Sequence, residues 1–167
     1  MLVLGLDPGL AITGYGLVRE SSNGDLALVE YGAITTYAGQ PMPDRLLAID
    51  RELETLLLRY RPEVVAIEEL FFCKNVTTAL AVGQARGVAI LGIARSGVPL
   101  YEYKPMVIKQ AITGYGKAPK SQVQEMVRLL LNLAQVPQPD DAADGVAVAI
   151  CHLYNVRLNS LVSAQSP

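Results

Sequence analysis

Apolar positions along the chain follow two rhythms, and the change between them marks the elements. Leu2-Val3-Leu4-Gly5-Leu6 is a short, nearly continuous apolar run that stops at Asp7-Pro8-Gly9. A run of that length closed by Pro-Gly reads as a buried central strand. Ala11 to Arg19, centred on Thr13-Gly14-Tyr15-Gly16-Leu17-Val18, suits a second strand reached by a tight return. Ser21-Ser22-Asn23-Gly24-Asp25 has Asn-Gly at its centre, a strong hairpin signal. Leu26 to Thr36 then reads as a third strand, so the first three form an antiparallel meander.

From Pro43-Asp44 the period changes. Leu46, Leu47, Ile49, Leu53, Leu56 and Leu57 recur mostly at three- and four-residue spacing, which predicts a helix ended by Arg61-Pro62. Val64-Val65-Ala66-Ile67 is apolar throughout, as in a strand buried on both faces, and it ends at Glu68-Glu69. Leu70 to Asn75 is a loop holding both phenylalanines, Phe71 and Phe72. Thr77 to Arg95 reads as a helix rich in Ala and Gly, suited to close packing on a sheet or on a second copy of the chain. Pro99 to Tyr103 is the fifth strand, followed by a lysine-bearing segment with Gly114-Tyr115-Gly116 as a flexible loop. Lys120 to Leu133 is a helix, Pro137-Gln138-Pro139 a stiff connector, and Asp140 to Asn155 the last helix, with a frayed polar tail from Asn159. Strands first and strand–helix–strand units afterwards predict an α/β fold, a five-stranded mixed sheet flanked by helices. We expect a single domain over residues 1–157 and a short polar tail over 158–167.

Composition narrows the chemistry. The chain has 167 residues, 51% of them apolar, and a net charge of -2. No apolar run in the sequence reads as long enough to span a membrane, and no basic region precedes the first apolar run as in a secretory signal. Cys73 and Cys151 form no disulfide framework, so a cytoplasmic protein is the default. With His152 as the one histidine, a zinc site lacks ligands. The charge is unevenly spread. Four of the five lysines, Lys104, Lys109, Lys117 and Lys120, lie between Tyr103 and Gln124, a segment without an arginine or an acid. Such a stripe on an acidic protein can hold a phosphate backbone, although a solvated surface would look the same.

The carboxylates recur at strand ends. Asp7 ends the first strand and Glu68 the fourth, and these strands can lie side by side with both tips at one edge. Asp140-Asp141-Ala142-Ala143-Asp144 opens the last helix. Either Asp141 or Asp140 can share a face with Asp144. Acids at a helix start also have a plain reason, the positive end of the helix dipole. Converging carboxylates repel one another unless cations neutralise them, and hard divalent ions do so through oxygen ligands. Two such ions about 4 Å apart support in-line displacement at a phosphodiester.

The ordered set Leu6-Asp7-Pro8-Gly9, Thr13-Gly14-Tyr15-Gly16, Ala66-Ile67-Glu68, Lys74-Asn75, Gly83-Gln84-Ala85-Arg86-Gly87, Lys109-Gln110, Lys120-Ser121-Gln122-Val123 and Asp141-Ala142-Ala143-Asp144 resembles the RuvC family. These are Holliday-junction resolvases with an RNase H-like fold. The resemblance covers about residues 2–156. It implies a homodimer that cuts four-way junction DNA with two Mg2+ ions per site, Mn2+ substituting, by symmetric nicks leaving 5′-phosphate and 3′-hydroxyl ends. It implies that Asp7, Glu68, Asp141 and Asp144 are the catalytic, metal-holding acids. It places DNA contacts at Lys109, Lys120 and Phe71, with Lys74 and Lys117 expected to join them, and a RuvA–RuvB branch-migration complex as partner. Two features depart from the family pattern: the end of the chain, Ser160 to Pro167, is not basic, and Glu69 and Asp140 are additional acids. A competing actin-like phosphotransferase would need a second nucleotide-binding half. A junction-binding module without activity, or a relative acting on RNA, would be separated by cleavage assays.

Overall fold

Why Asp7 ends up where it does follows from the sheet. In the computed structural model, residues 1–70 and 76–164 are described, with side chains as far as Leu161. The strands are β1 (Leu2–Asp7), β2 (Ile12–Glu20), β3 (Leu26–Thr35), β4 (Val64–Glu68) and β5 (Leu100–Tyr103). The helices are α1 (Met42–Tyr60), α2 (Val76–Ser96), α3 (Pro105–Thr113), α4 (Lys120–Leu130) and α5 (Asp140–Ala164). Strand order is β3-β2-β1-β4-β5, so the apolar N-terminal run is the central strand. β1, β2 and β3 pair antiparallel, and β1–β4 and β4–β5 pair parallel. The meander and the mixed sheet are therefore as expected. The β2–β3 return uses Gly24 at φ +88°, a left-handed position that favours glycine. At the end of α1, Arg61 turns left-handed and its N–H donates to the Leu57 carbonyl.

Each face of the sheet carries its own core. Leu2, Leu4, Leu6, Leu17, Val65 and Ile67 meet Ile49 and Leu53 of α1 and Ala85, Ala89 and Ile93 of α2. Val3, Val18 and Ala66 point the other way, onto Ile108 and Ile112 of α3, Val123 and Val127 of α4, and Val146 to Leu153 of α5. Side chains in a strand alternate with period two. Asp7, two steps beyond Gly5, and Glu68, two beyond Ala66, thus face the α3–α4–α5 side.

Four expectations are corrected. The lysine-bearing segment contains a helix, α3, that the sequence reading did not foresee. Pro105 at its first turn and Gly114 just past its end, at φ +77°, are the signals that mark it, with Ile108 and Ile112 buried one turn apart. α4 stops at Leu130 rather than Leu133, and α5 continues well past Asn155, so residues 158–164 are helical instead of a frayed tail. The start of α5 at Asp140 is as expected; the Pro139 carbonyl accepts from the Ala142 N–H, and the Asp140 carboxylate pairs with Lys120. Finally, α2 is, by length and composition, long and apolar enough to cross a membrane. Its inner face is nonetheless packed into the α1 core, and Arg86 at its middle is ion-paired to Glu102 of β5.

Candidate active site

Parallel pairing of β1 with β4 matches Leu6 with Ile67, so Asp7 and Glu68 are neighbours one step further, at the carboxyl ends of both strands. Helix α5 completes the site because it rests directly on the sheet. A Cβ on Gly14 would fall 1.8 Å from the Asp141 carbonyl oxygen, and one on Gly145 would fall 2.6 Å from the Tyr15 Cα. Any larger residue at either position would push the helix away from the strands. This contact brings the first turns of α5 to the tip of β1. Asp7, Glu68 and Asp144 then line one cleft of about 230 Å³ together with Lys109 of α3 and Lys120 of α4. An adjoining hollow of about 170 Å³ is bordered by Asp7, Glu68, Glu69 and Leu70.

Placing three acids in a half-buried cleft has an electrostatic cost. Burial, then the charges of Asp144 and Asp141, push the Asp7 carboxyl up to about 7. Burial, then Asp7 and Asp144, push Glu68 up to about 8, against the opposing pull of Lys109 and Lys120. Asp144 is also raised, chiefly by burial, while the hydrogen bond and charge of Lys120 hold it down. The Lys120 Nζ stands 2.8 Å from Asp144 Oδ2 and 3.9 Å from Asp140 Oδ2. Burial pulls the Lys120 ammonium down, but its acidic neighbours prevail and its pKa is raised. The cleft is therefore a place where positive charge is favoured and further negative charge is resisted.

A family model described as crossover junction endodeoxyribonuclease RuvC matches residues 3–152. This chain belongs to the RuvC family. It is 58% identical over 154 residues to the family protein of Chloroflexus aurantiacus, covering 92% of this chain and 93% of the relative. Identity to that of Ruminiclostridium cellulolyticum is 51% over 162 residues, 97% of each. Among solved structures, the Thermus thermophilus RuvC in complex with a Holliday junction substrate superposes with a TM-score of 0.87 at 34% identity, over 96% of this chain and 98% of that one. The yeast mitochondrial Holliday junction resolvase, at 15% identity and a TM-score of 0.66 over 95% of this chain and 82% of that one, shares the fold. The fold is RNase H-like, as the family resemblance implied.

Within this RuvC-family fold the expected residues divide clearly. Asp7, Glu68, Asp144, Lys109 and Lys120 converge. Asp141 is not on the cleft wall, but its charge acts on Asp7, Asp144 and Lys120. Lys117 lies elsewhere, in a groove of about 870 Å³ with Met106, Tyr115 and Arg157, so it does not join the acid cleft. Phe71 and Lys74 lie outside the described residues. Arg86 is a contact that sequence reasoning missed. It donates from Nε to the Glu68 main-chain oxygen at 3.3 Å. The signal for it was a lone arginine in a segment of small residues.

Proposed function

We propose that this protein resolves four-way DNA junctions, cutting two opposed strands by metal-assisted phosphodiester hydrolysis. The observation that carries this reading is the convergence of Asp7, Glu68 and Asp144 with Lys109 and Lys120 in one cleft, in a chain of the RuvC family. The donor set suits Mg2+: every candidate ligand is a carboxylate oxygen, and the raised Asp7 and Glu68 carboxyls mark a site short of positive charge. Among the described residues no three acidic, cysteine or histidine side chains are already arranged to hold a metal ion. Mg2+ commonly takes one or two carboxylates and fills the rest of its shell with water and phosphate oxygens. Asp7, Glu68, Asp141 and Asp144 are the residues that would hold two Mg2+, or Mn2+ in their place. When bound, such ions supply an activated water and stabilisation of the leaving 3′ oxygen.

The protein's own groups do the rest. Lys109 and Lys120 hold the phosphates that flank the scissile bond, and Lys120 exchanges Asp144 for phosphate as DNA arrives. Products carry 5′-phosphate and 3′-hydroxyl ends. Phe71 stacks on an unpaired base near the crossover, a contact worth about 1–3 kcal/mol, and Lys74 and Lys117 extend the phosphate track. Two copies act together, because a two-fold junction calls for two sites on opposed strands. The outer stripe of α2, with Val76, Leu80 and Leu91 exposed at 71%, 65% and 58%, supports an interface there. Residues 1–157 would serve as the nuclease domain, working in the cytoplasm with a RuvA–RuvB branch-migration complex.

Cleavage of synthetic four-way DNA junctions, linear duplex and RNA by the wild-type protein and Glu68→Gln tests the proposal. Paired nicks in the junction alone, lost in Glu68→Gln while junction binding persists, are expected. Near-normal cutting by Glu68→Gln would sink the assignment.

A further inference from the structure

The segment Gly83-Gln84-Ala85-Arg86-Gly87 carries one charge, on Arg86, outside the acid cleft. α2 has two charged residues, Arg86 and Arg95, and Arg95 sits in its last turn. Arg86 lies at the middle of the helix, its side chain only 18% exposed. Its guanidinium reaches across the ends of two strands. Nε donates to the main-chain oxygen of Glu68 at 3.3 Å, and Nη2 pairs with the Glu102 carboxylate on β5. The same peptide unit is held from its other side, since the Glu69 N–H donates to the Tyr103 carbonyl at 2.8 Å. The peptide that joins Glu68 to Glu69 is thus fixed at both its oxygen and its hydrogen. It is also the last peptide of β4, at the end of the ladder with β5.

We infer that Arg86 is a positioning residue, which sets the direction of the Glu68 carboxylate by clamping the Glu68–Glu69 peptide between α2 and β5. The inference rests on the reading of Glu68 as a metal-holding acid. Arginine suits this task because its planar fork makes two directed contacts at once and never loses its charge. A lysine ammonium carries its three donors on one nitrogen and lacks the fork that reaches two separate partners. A purely structural ion pair predicts something different. Glu102 is 47% exposed, and pairs that open to water stabilise a fold only slightly. Loss of groups that orient metal ligands, by contrast, costs about 10- to 100-fold in metal affinity or activity.

The test compares wild type, Arg86→Gln and Arg86→Lys. Free Mn2+ is followed by electron paramagnetic resonance on the DNA-free protein. Single-turnover junction cleavage at saturating protein, junction affinity and melting are measured alongside. In Arg86→Gln, Mn2+ affinity and the single-turnover rate should each fall about 10- to 100-fold, with junction affinity within about twofold and Arg86→Lys recovering only part of the loss. Wild-type Mn2+ affinity in Arg86→Gln, or full recovery by Arg86→Lys, would overturn the inference, as would a loss of junction affinity equal to the loss of rate. If Arg86→Gln melts too low to assay, Glu102→Gln carries the test: weaker Mn2+ binding supports the clamp and unchanged binding overturns it. Glu68→Gln is the control. Should it bind Mn2+ and cut normally, the active-site reading fails; should it be dead while Arg86→Gln is normal, only the clamp fails.

Discussion

Lys120 holds Asp144: the ammonium of one lies 2.8 Å from a carboxylate oxygen of the other, in the cleft that also contains Asp7 and Glu68. The lysine arrives from α4 and the acid from α5, so the pair is made by tertiary packing. It sets a cation among acids that otherwise repel one another. The same ammonium is exposed enough, at 50%, to turn toward a phosphate.

Removing both lysines of the cleft, as Lys109→Ala with Lys120→Ala, should weaken junction binding alike across sequences. The salt dependence should flatten, by about one unit of slope for each lost phosphate contact. Titrations over a range of salt concentrations measure it, and an unchanged slope would mean that these lysines serve solubility alone.

Without divalent metal, stability should fall as pH rises. Asp7 and Glu68 have folded-state values of about 7 and 8, raised from 3.8 and 4.5. Their contribution is fully present below about pH 4, where folded and unfolded chains are both protonated. It is lost as the pH climbs through the folded values, because the folded chain must then ionise buried, mutually repelling acids. Melting in EDTA from pH 5 to 8.5 should decline, Glu68→Gln should flatten the upper part of that decline, and Mg2+ should restore stability. A melting temperature that climbs over this range would refute the coupled cluster.

Asp140 and Asp141 should separate. Asp140 is exposed in the first turn, paired to Lys120 at 3.9 Å. Asp140→Ala should cost at most about 1 kcal/mol through the helix dipole and leave cutting in place. Asp141→Asn should cost little stability and nearly all cleavage. Melting and junction cleavage of both variants decide it, and the reverse pattern would reassign the second acid of the α5 pair.

Leu80→Glu on the outer stripe of α2 should yield a folded monomer. Leu80 is 65% exposed within one chain, so melting of the monomer should change little while a charge is forced into the proposed interface. Sedimentation velocity measures the mass. A dimer of undiminished affinity would move the interface off α2.

Local pattern alone determined most of the elements and the tips on which the first two acids sit. The Leu2–Leu6 and Val64–Ile67 runs carry their own strand signal, and a carboxylate after such a run marks where the sheet meets water. The Asn-Gly return and the Pro and Gly punctuation act within a few residues, so they are legible without the fold. α3 is legible in principle, through Pro105, Ile108, Ile112 and Gly114, but its nine residues are too few for a strong helical period. What the tertiary structure decided is everything that depends on distance between elements. Spacing showed that Asp144 shares a face with Asp140 and with Asp141. The seating of α5 on Gly14 and through Gly145 determined which acid reaches the cleft. Lys109 and Lys117 belong to one basic stripe in sequence, yet one enters the cleft and the other faces a separate groove, because α3 ends between them. The grip of Arg86 on Glu68 spans 18 positions of the chain and leaves no local periodicity, since a helix and a strand end meet there only after the sheet has formed.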